Sequence, residues 1–360
     1  MSLSQPKRIL IIKLRHHGDV LLSTPVVDAL KTRFPDCEID MLVYAGTEQL
    51  IADNPQIAQI FTIDRNWKKL GVFKQLACEK NLFSKLKARD YDWAFNLSDQ
   101  WRAAIIAKLC ARCSVGLDCI KRDGFWWRFC HDFINHELDP SHHIVENQLN
   151  ILAPLIQPED VADAKVRLWV AQDARESMRQ KLRAQGWSGE DYVLMHPGAR
   201  WHFKCWEDGK NAAIVQLLLN SGQNVVLTAS PDNVEQYMLQ EIIGRLNIPE
   251  GGKVWVLSGC LSLRELAAAI EGAKLFIGVD SAPMHIAAAL DKPQIALFGA
   301  SWVDKWRPYS EQAEVIYAGD YAELPHPDSI DTNDPTRLLK AIPLQDVWDK
   351  ISAKLEALEA

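Results

Sequence analysis

The sequence predicts an α/β protein with two parallel, doubly wound sheets, one in each half of the chain. Short apolar runs typical of buried strands alternate with stretches of helical periodicity, as in a doubly wound sheet. The alternation stops at about residues 155–190, which carry Pro158 and polar runs, and then starts again. A chain of 360 residues also exceeds what one hydrophobic core usually supports. We therefore expect two domains.

In the first half, apolar runs and helical spacing alternate from the first strand onward. The predicted strands are residues 8–14, 38–43, 57–63 and 93–97. The predicted helices are residues 20–34, a short one around 47–52, 73–87 and 103–112. Because each strand is followed by a helix that can cross back over the sheet, the strands are expected to run parallel.

The second half repeats this alternation and ends in a further helix. The predicted strands are residues 192–195, 224–227, 254–256, 275–279 and 295–298, the last closing the sheet. The predicted helices are residues 172–185, 211–220, 233–246, 263–271 and 344–358. We expect domains at 1–165 and 166–335, with a C-terminal segment, 336–360, that packs back on the first domain. Tandem domains of this kind place a ligand cleft between them, at the carboxyl ends of the strands.

Composition and charge narrow the class of protein. Hydrophobic residues make up 48% and charged residues 24%, as in globular enzymes. The net charge of −7 argues against a nucleic-acid-binding protein, which usually has a basic surplus. The apolar run at residues 9–12 ends at Lys13, too short for a secretory signal, and no stretch reaches the ~18 apolar residues of a membrane span. We expect a cytoplasmic protein, or one peripheral to a membrane.

The cysteines raise the question of a metal site. Eight are present, and in a large cytosolic chain they are expected to be reduced thiols. Cys110, Cys113, Cys119 and Cys130 have a superficial resemblance to a zinc site. However, Cys110 falls in a predicted helix and no second close pair completes a tetrad. We expect no metal.

The turn after the strand at 275–279 is the most informative segment of the chain. Asp280-Ser281-Ala282-Pro283 ends the strand, and the residues from Met284 onward have helical spacing. Proline suits the first turn of a helix, where its missing N–H costs nothing. A strand that leads into a helix through such a turn aims free N–H groups and the positive end of the helix dipole at one point, which favours a phosphate or carboxylate. The alternative is an ordinary turn that Asp280 or Ser281 caps.

The turn after the first strand carries a second set of polar residues. Residues 13–20 contain one glycine, Gly18, where a dinucleotide-binding fingerprint needs three, so dinucleotide binding is disfavoured. The turn instead presents Arg15, His16, His17 and Asp19. A carboxylate held there can serve as a general base if it reaches the proton it removes. The alternative is that Asp19 only caps the helix that follows.

Three segments together resemble a known family. They are residues 13–19 with 21–25, residues 196–206 (beginning His-Pro-Gly-Ala-Arg) and residues 278–285 (Gly-Val-Asp-Ser-Ala-Pro-Met-His). In this order, over nearly the whole chain, they resemble the bacterial ADP-heptose:lipopolysaccharide heptosyltransferases, glycosyltransferase family 9. The resemblance implies a GT-B fold, two Rossmann-like domains whose parallel sheets face a central cleft. It also implies inverting transfer of L-glycero-D-manno-heptose from ADP-heptose to a heptose of the lipopolysaccharide inner core, without cofactor or catalytic metal.

The resemblance assigns roles to residues of this chain. Asp19 corresponds to the family's general base, and Lys204 to its phosphate-binding lysine. The other donor-binding candidates are His196, Arg200, Asp232, Asp280, Ser281, Ala282 and His285. Asp232 stands near the position of an acidic ribose-binding residue in relatives, and His285 has the alternative of being a packed helix residue. The sequence departs from the family where Arg15 and a His-His pair replace a small hydroxyl residue.

An anionic, phosphorylated lipid oligosaccharide as acceptor calls for basic groups on the N-terminal domain. The acceptor-binding candidates are Arg15, His17, Lys68, Arg122 and Arg128. The aromatic residues 125–127 beside the last two also suit contact with the cytoplasmic face of the inner membrane, the alternative being a solvated loop with tryptophan packed on the core. Two other functions remain open. One is a GT-B transferase or epimerase with another donor such as a UDP-sugar, and the other is a two-domain binding protein, which the missing signal disfavours.

Overall fold

The computed structural model describes residues 5–118, 122, 124–139, 141–157, 161 and 163–359. The chain divides into two compact units, Met1–Trp169 and Val170–Ala360. The sequence placed this division at 165/166. Each unit contains one six-stranded sheet in which every neighbouring pair of strands is parallel. The predicted α/β class, with two doubly wound parallel sheets, is therefore confirmed.

The N-terminal sheet contains two strands that the sequence did not predict. Its strands are β1 (Arg8–Lys13), β2 (Glu38–Tyr44), β3 (Gln59–Ile63), β4 (Tyr91–Asn96), β5 (Ala111–Asp118) and β6 (Phe133–His136). They lie in the order β3-β2-β1-β4-β5-β6. The strands β5 and β6 were missed because β5 mixes polar residues and a glycine into its apolar ones, and β6 has only four residues.

One helix that the sequence predicted in the N-terminal unit is divided into two helices in the structure. The helices are α1 (His17–Leu21), α2 (Thr24–Arg33), α3 (Val72–Ala88), α4 (Trp101–Cys110), α5 (Phe125–Phe129) and α6 (Ile144–Asn150), with 3-10 turns at Thr47–Leu50 and Arg65–Lys69. The helix predicted at 20–34 breaks before Thr24. Pro25 has no N–H to offer the Leu21 carbonyl, and the Thr24 hydroxyl donates to that carbonyl instead, at 2.9 Å. The break separates the turn that carries Asp19 from the longer helix.

The core of the N-terminal unit has one apolar layer on each face of its sheet. Alternate residues of β1 point to opposite faces, as the pleat requires. Ile9 and Ile11 pack with helix α2, whereas Leu10 and Ile12 pack with helices α3 and α4. A strand buried on both faces is a continuous apolar run, which is why β1 was predictable from sequence.

The C-terminal unit repeats this architecture with one strand more than predicted. Its elements are α7 (Gln172–Arg183), β7 (Val193–His196), α8 (Asp208–Asn220), β8 (Val225–Ala229), α9 (Asn233–Ile243), β9 (Val254–Ser258), α10 (Leu263–Gly272), β10 (Leu275–Val279), α11 (Ala282–Ala289), β11 (Gln294–Phe298), α12 (Val303–Trp306), β12 (Ala313–Tyr317) and α13 (Leu344–Glu359). The sheet order is β12-β11-β10-β7-β8-β9. The prediction that residues 295–298 close the sheet is wrong, because β12 pairs beyond them.

The apolar face of the last helix packs in the C-terminal unit, which differs from the prediction. We expected α13 to pack on the first domain. Its buried residues Val347, Ile351 and Leu355 belong instead to the core of the C-terminal unit, together with residues of α8 such as Val215 and Leu218. The prediction was wrong because helical spacing shows that a helix has an apolar face but not which partner covers it. Among the described residues, no helix has the length and apolar character needed to cross a membrane.

Each sheet has one place where the direction of winding reverses. In the N-terminal sheet this is the boundary between β1 and β4, and in the C-terminal sheet the boundary between β7 and β10. The loops that leave two such strands diverge to opposite faces and leave a crevice at the carboxyl edge. Ligands of doubly wound proteins bind there. The three segments singled out from the sequence follow β1, β7 and β10, so all three lie at these positions.

Candidate active site

The turn after β1 is held by the loop that follows β4. The Leu14 amide donates to the Ser98 hydroxyl at 2.6 Å, and the Gln100 side chain donates to the Leu14 carbonyl at 2.7 Å. Both backbone groups of Leu14 are thereby fixed by polar side chains of the neighbouring strand's loop. The sequence analysis missed this pair. The polar run that follows the predicted strand at 93–97 was the available signal, since parallel neighbours end at the same edge.

Asp19 lies in the first turn of α1, with its side chain partly exposed. Its Oδ2 accepts a hydrogen bond from the His16 amide at 3.3 Å, which forms a capping box across the start of the helix. The capping alternative is thus present in the structure, one turn earlier than the predicted helix start at Val20. Capping restrains the carboxylate without burying it, so Asp19 keeps access to a proton donor from solvent or substrate.

Lys13 brings a buried positive charge close to this turn. Its Nζ donates to the Leu97 carbonyl at 3.2 Å. Burial lowers the pKa of Lys13, and its attraction to Asp19 opposes that effect. The pKa of His17 is also lowered, first by burial and then by the neighbouring charges of His16 and Arg65, which favours a neutral imidazole. The sequence analysis considered Lys13 only as the end of a strand. Its position directly after an apolar run was the available sign that this lysine is buried.

Two of the predicted acceptor-binding residues converge on one aspartate. Arg15 forms an ion pair with the Asp99 carboxylate at 2.7 Å. The Arg122 Nε donates to the Asp99 backbone carbonyl at 2.8 Å, and its guanidinium lies 5.7 Å from the centre of the Trp101 ring. Arg15 and Arg122 are therefore brought together at the carboxyl edge, beside the turn that carries Asp19.

The other two basic candidates belong to different surroundings. Arg128, on α5, pairs with Asp118 at the end of β5 at 2.9 Å, and the second oxygen of Asp118 contacts His136 at 2.7 Å. Lys68 is exposed in the 3-10 turn at Arg65–Lys69. That turn is joined to the first motif because Arg65 donates to the Arg15 carbonyl at 3.3 Å.

The motif after β7 is built around a buried carboxylate that the sequence analysis missed. His196 ends β7, its Nδ1 lies 2.9 Å from the Thr228 hydroxyl, and its Nε2 lies 3.5 Å from Glu235. Glu235 also accepts from the Ser230 amide at 2.9 Å. Burial by itself raises the pKa of such a carboxyl, but the hydrogen bonds from His196 and Ser230 outweigh it and lower the pKa of Glu235 to about 2. The close approach requires Gly198, where an added Cβ would lie 2.6 Å from Glu235 Oε2.

Asp232, the predicted ribose-binding candidate, caps α9. Its Oδ1 accepts from the Val234 amide at 2.8 Å, and the side chain is exposed. Glu235 lies three residues later, as in a capping box, but it turns inward to His196. Of the two acidic residues in this segment, Glu235 is the one connected to the motif after β7.

The phosphate-binding candidate Lys204 is held by the turn after β10. Its Nζ contacts the Asp280 carboxylate, which also accepts from the Ser301 hydroxyl at 2.6 Å. Lys204 lies 5.2 Å from the centre of the Trp201 ring, and the exposed Arg200 lies 5.7 Å from the same ring. Asp280 therefore orients a cation and does not cap the helix that follows.

The remaining candidates of this turn lie at the start of α11. Ser281 occupies the N-cap position, and its hydroxyl donates to the Val279 carbonyl at 3.2 Å. Ala282 is the first helical residue, and His285 is buried one turn later. The arrangement joins the positive end of a helix dipole to the ammonium of Lys204. That is the chemistry of an anion site.

Among the cysteines that resembled a zinc site, Cys110 and Cys113 are buried and Cys130 is half-buried. Burial raises the pKa of the Cys110 thiol and of the Cys113 thiol to about 11. Cys119 lies outside the described residues. Within the ranges that the structure describes, no three or more His, Cys, Asp or Glu side chains are grouped as metal ligands.

Comparisons with known proteins show the family and the fold of this chain. The family profile described as glycosyltransferase family 9 (heptosyltransferase) matches residues 80–336. Lipopolysaccharide heptosyltransferase 3 of Escherichia coli is 38% identical over 335 residues, which are 93% of this chain and 95% of that protein. The glycosyl transferase family 9 structure from Veillonella parvula superimposes with a TM-score of 0.83 at 21% identity, covering 99% of both chains. The E. coli ADP-heptose lps heptosyltransferase II structure has a TM-score of 0.77 at 22% identity, covering 98% of this chain and 100% of the other.

Proposed function

The chain belongs to glycosyltransferase family 9, the heptosyltransferases, and on that basis we propose that it uses ADP-heptose as donor and Asp19 as general base. It has the GT-B fold and is a glycosyltransferase that transfers heptose to the lipopolysaccharide inner core. The observation that carries the proposal is the pairing of Lys204 with Asp280 beside the start of α11. This pairing supports the proposal because an ammonium held near a helix N-terminus is suited to bind the leaving diphosphate of such a donor.

At the donor end, the C-terminal unit supplies positive charge. In the proposed reaction the bond between the anomeric carbon and the diphosphate oxygen breaks, and ADP departs with its electron pair. Lys204, Arg200 and the N–H groups around Ser281 and Ala282 stabilise the charge that develops on that oxygen. Asp280 holds the Lys204 ammonium in place, and His196, Asp232 and His285 complete the donor-binding set.

At the acceptor end, the proposed step is direct displacement with inversion. An acceptor hydroxyl oxygen forms the new bond to the anomeric carbon on the face opposite to ADP, and its proton passes to the Asp19 carboxylate. Arg15, His17, Lys68, Arg122 and Arg128 are the proposed contacts to the acceptor's anionic groups. We also propose that the chain works in the cytoplasm, in peripheral contact with the inner membrane, because this acceptor is carried on a lipid.

The test separates turnover from donor binding by two substitutions. Asp19→Asn keeps the side-chain shape and removes the base, so turnover should fall by roughly a hundredfold or more, while calorimetry shows ADP affinity within about twofold of the unmodified chain. Lys204→Met, in contrast, should weaken donor binding, with ADP affinity reduced about tenfold or more. Asp36→Asn, at an exposed aspartate of the N-terminal unit, is the matched control and should change neither quantity.

Three results would contradict the proposal. Turnover in Asp19→Asn above a tenth of the unmodified rate would remove Asp19 from the role of base. Tighter binding of UDP than of ADP would assign a different donor, as in another GT-B transferase or an epimerase. Loss of ADP binding on addition of EDTA would show that the donor site depends on a metal.

A further inference from the structure

Three helices of the N-terminal unit begin with large apolar side chains that are left exposed. Val72 and Phe73 open α3 and are 70% and 89% exposed. Trp101 opens α4, and Phe125 and Trp126 open α5, where Trp126 is 69% exposed. Single exposed apolar residues are ordinary on a protein surface, but repeated clusters of them mark an interaction site. We call this set, with Leu76 in the second turn of α3, the apolar rim.

The sheet topology places the apolar rim along one edge. Helices α3, α4 and α5 connect β3 to β4, β4 to β5 and β5 to β6, so each begins at the carboxyl edge of the parallel sheet. Leu82 of α3 and Ile106 of α4 share one core layer. Trp127 of α5 packs edge-on against Trp101 at 5.5 Å. The rim therefore lies on one face, at the same edge as the turn that carries Asp19.

The core does not account for the first half of α3. Of the seventeen residues of this helix, Leu82 and Leu86 are the buried ones, and both lie in its second half. Val72, Phe73 and Leu76 precede them, and their side chains point into solvent. Exposing three apolar side chains in two turns is unfavourable unless another phase or partner covers them.

The charge around α3 is opposite to that of the chain as a whole. Residues 64–88 contain seven basic and two acidic residues, in a chain whose net charge is −7. Among the basic ones, Lys74 and Lys80 are exposed beside the apolar side chains. Exposed apolar residues bordered by lysines are the combination that binds an anionic lipid surface, where the apolar groups enter the interface and the ammonium groups meet the headgroups.

We propose that the apolar rim seats this chain on an anionic lipid bilayer, with Val72, Phe73 and Leu76 inserted at the interface. The inference rests on the proposed function, because seating the carboxyl edge on the bilayer brings Asp19 towards an acceptor sugar that is anchored there. The occupant is the bilayer surface itself, with its anionic headgroups. The lipid part of the acceptor is not required.

The test measures sedimentation of the purified full chain with vesicles that contain no lipopolysaccharide. Binding to phosphatidylcholine vesicles should rise about tenfold when phosphatidylglycerol is included, and should fall again when salt is raised from about 0.1 M to about 0.5 M. The triple variant Val72→Ser/Phe73→Ser/Leu76→Ser should bind about tenfold more weakly. The matched control, Val234→Ser/Tyr237→Ser, alters side chains that are 56% and 65% exposed on α9 of the C-terminal unit, and should bind like the unmodified chain.

Two activity measurements separate this proposal from the proposed function. With a water-soluble, deacylated acceptor, the triple variant should transfer heptose at the unmodified rate, which also shows that it folds. With the acceptor embedded in anionic vesicles, its rate should fall about tenfold. If vesicle binding depends on the rim but the chain transfers no heptose, the proposed function is overturned. The assignment of the apolar rim to membrane binding then still holds.

Two results would overturn the assignment of the rim. The first is vesicle binding by the triple variant that equals binding by the unmodified chain. The second is a dimer of the unmodified chain that the triple variant converts to a monomer, without vesicle binding by either. That second result would make the rim a contact between two copies of this chain.

Discussion

In the proposed donor site, the role of Asp280 is to position Lys204 and not to bind the anion itself. Its carboxylate contacts Lys204 and accepts from the Ser301 hydroxyl at 2.6 Å. A lysine held by a carboxylate loses little side-chain freedom when a phosphate arrives, because much of that freedom has already been lost. The charge balance of the site also follows from this pair, since without an anion the ammonium is neutralised by Asp280.

Glu235 has an effect on stability that depends on pH. Burial opposes its ionisation, but hydrogen bonds from His196 and Ser230 hold its pKa at about 2, below its usual value of 4.5. A carboxyl whose pKa is depressed by folding stabilises the native state above the unfolded pKa and loses that contribution as the pH falls through the folded pKa. The window in which Glu235 loses its contribution therefore runs from about 4.5 down to about 2.

We expect Glu235→Gln to remove this pH dependence. At pH 7 the unmodified chain should be more stable than the variant, and the difference in free energy of unfolding should shrink by about 1.4 kcal/mol for each pH unit below 4.5. Urea unfolding at a series of pH values from 7 to 3 measures it. A difference that stays constant over this range would show that the Glu235 carboxylate is not the titrating group.

The contacts of these residues could not be predicted from sequence. Lys204 and Asp280 are 76 positions apart, and their pairing depends on β7 and β10 being neighbours in the sheet. The sequence showed that each segment is polar and follows a strand. Residue patterns alone gave no order for the strands, so only the family resemblance placed the two segments in one donor site, and it did not predict the contact between Lys204 and Asp280. Glu235 was missed for a related reason, because a glutamate three residues after a capping aspartate has a local alternative that needs no distant partner.

Among the secondary-structure elements, success followed the strength of the local pattern. The strands β1 and β10 are uninterrupted apolar runs, and both were predicted. Strands β5, β6 and β12 were missed because they are short or mix polar residues into their apolar ones, as partly exposed strands do. The break between α1 and α2 was missed because helical spacing continues through it, although Pro25 was present as a signal.

Helix α13 illustrates why a partner cannot be assigned from an apolar face, and it yields a prediction. Ile351 is fully buried in the core of the C-terminal unit, so Ile351→Ala removes packed atoms and leaves a cavity. We expect a loss of about 2–5 kcal/mol in the free energy of unfolding, measured by urea denaturation of the full chain. Leu358→Ala, at an exposed position of the same helix, should change it by less than about 0.5 kcal/mol. Equal effects of the two substitutions would contradict the packing of α13.

At the scale of the whole molecule, the two units repeat one plan. Each has six parallel strands, its own apolar core and one point where the winding reverses. The motif after β1 lies at that point in the first unit, and those after β7 and β10 lie there in the second. Chain length and the repeated alternation predicted two such sheets. The equivalence of the motif positions required the strand order, which only the structure supplies.

The proposed assignment of the donor to the C-terminal unit and of the acceptor to the N-terminal unit predicts which backbone amides ADP protects from hydrogen exchange. If the donor binds as proposed, backbone amides at residues 196–204 and 280–284 should exchange more slowly with ADP present, because the nucleotide restrains both loops and covers the N–H groups at the start of α11. Amides at residues 13–19 should exchange at the same rate with and without ADP, since that turn is assigned to the acceptor. The measurement is hydrogen–deuterium exchange of the full chain at saturating ADP, with UDP as control. Protection centred on residues 13–19 would reverse the roles of the two units, because the diphosphate would then lie on the turn that carries Asp19.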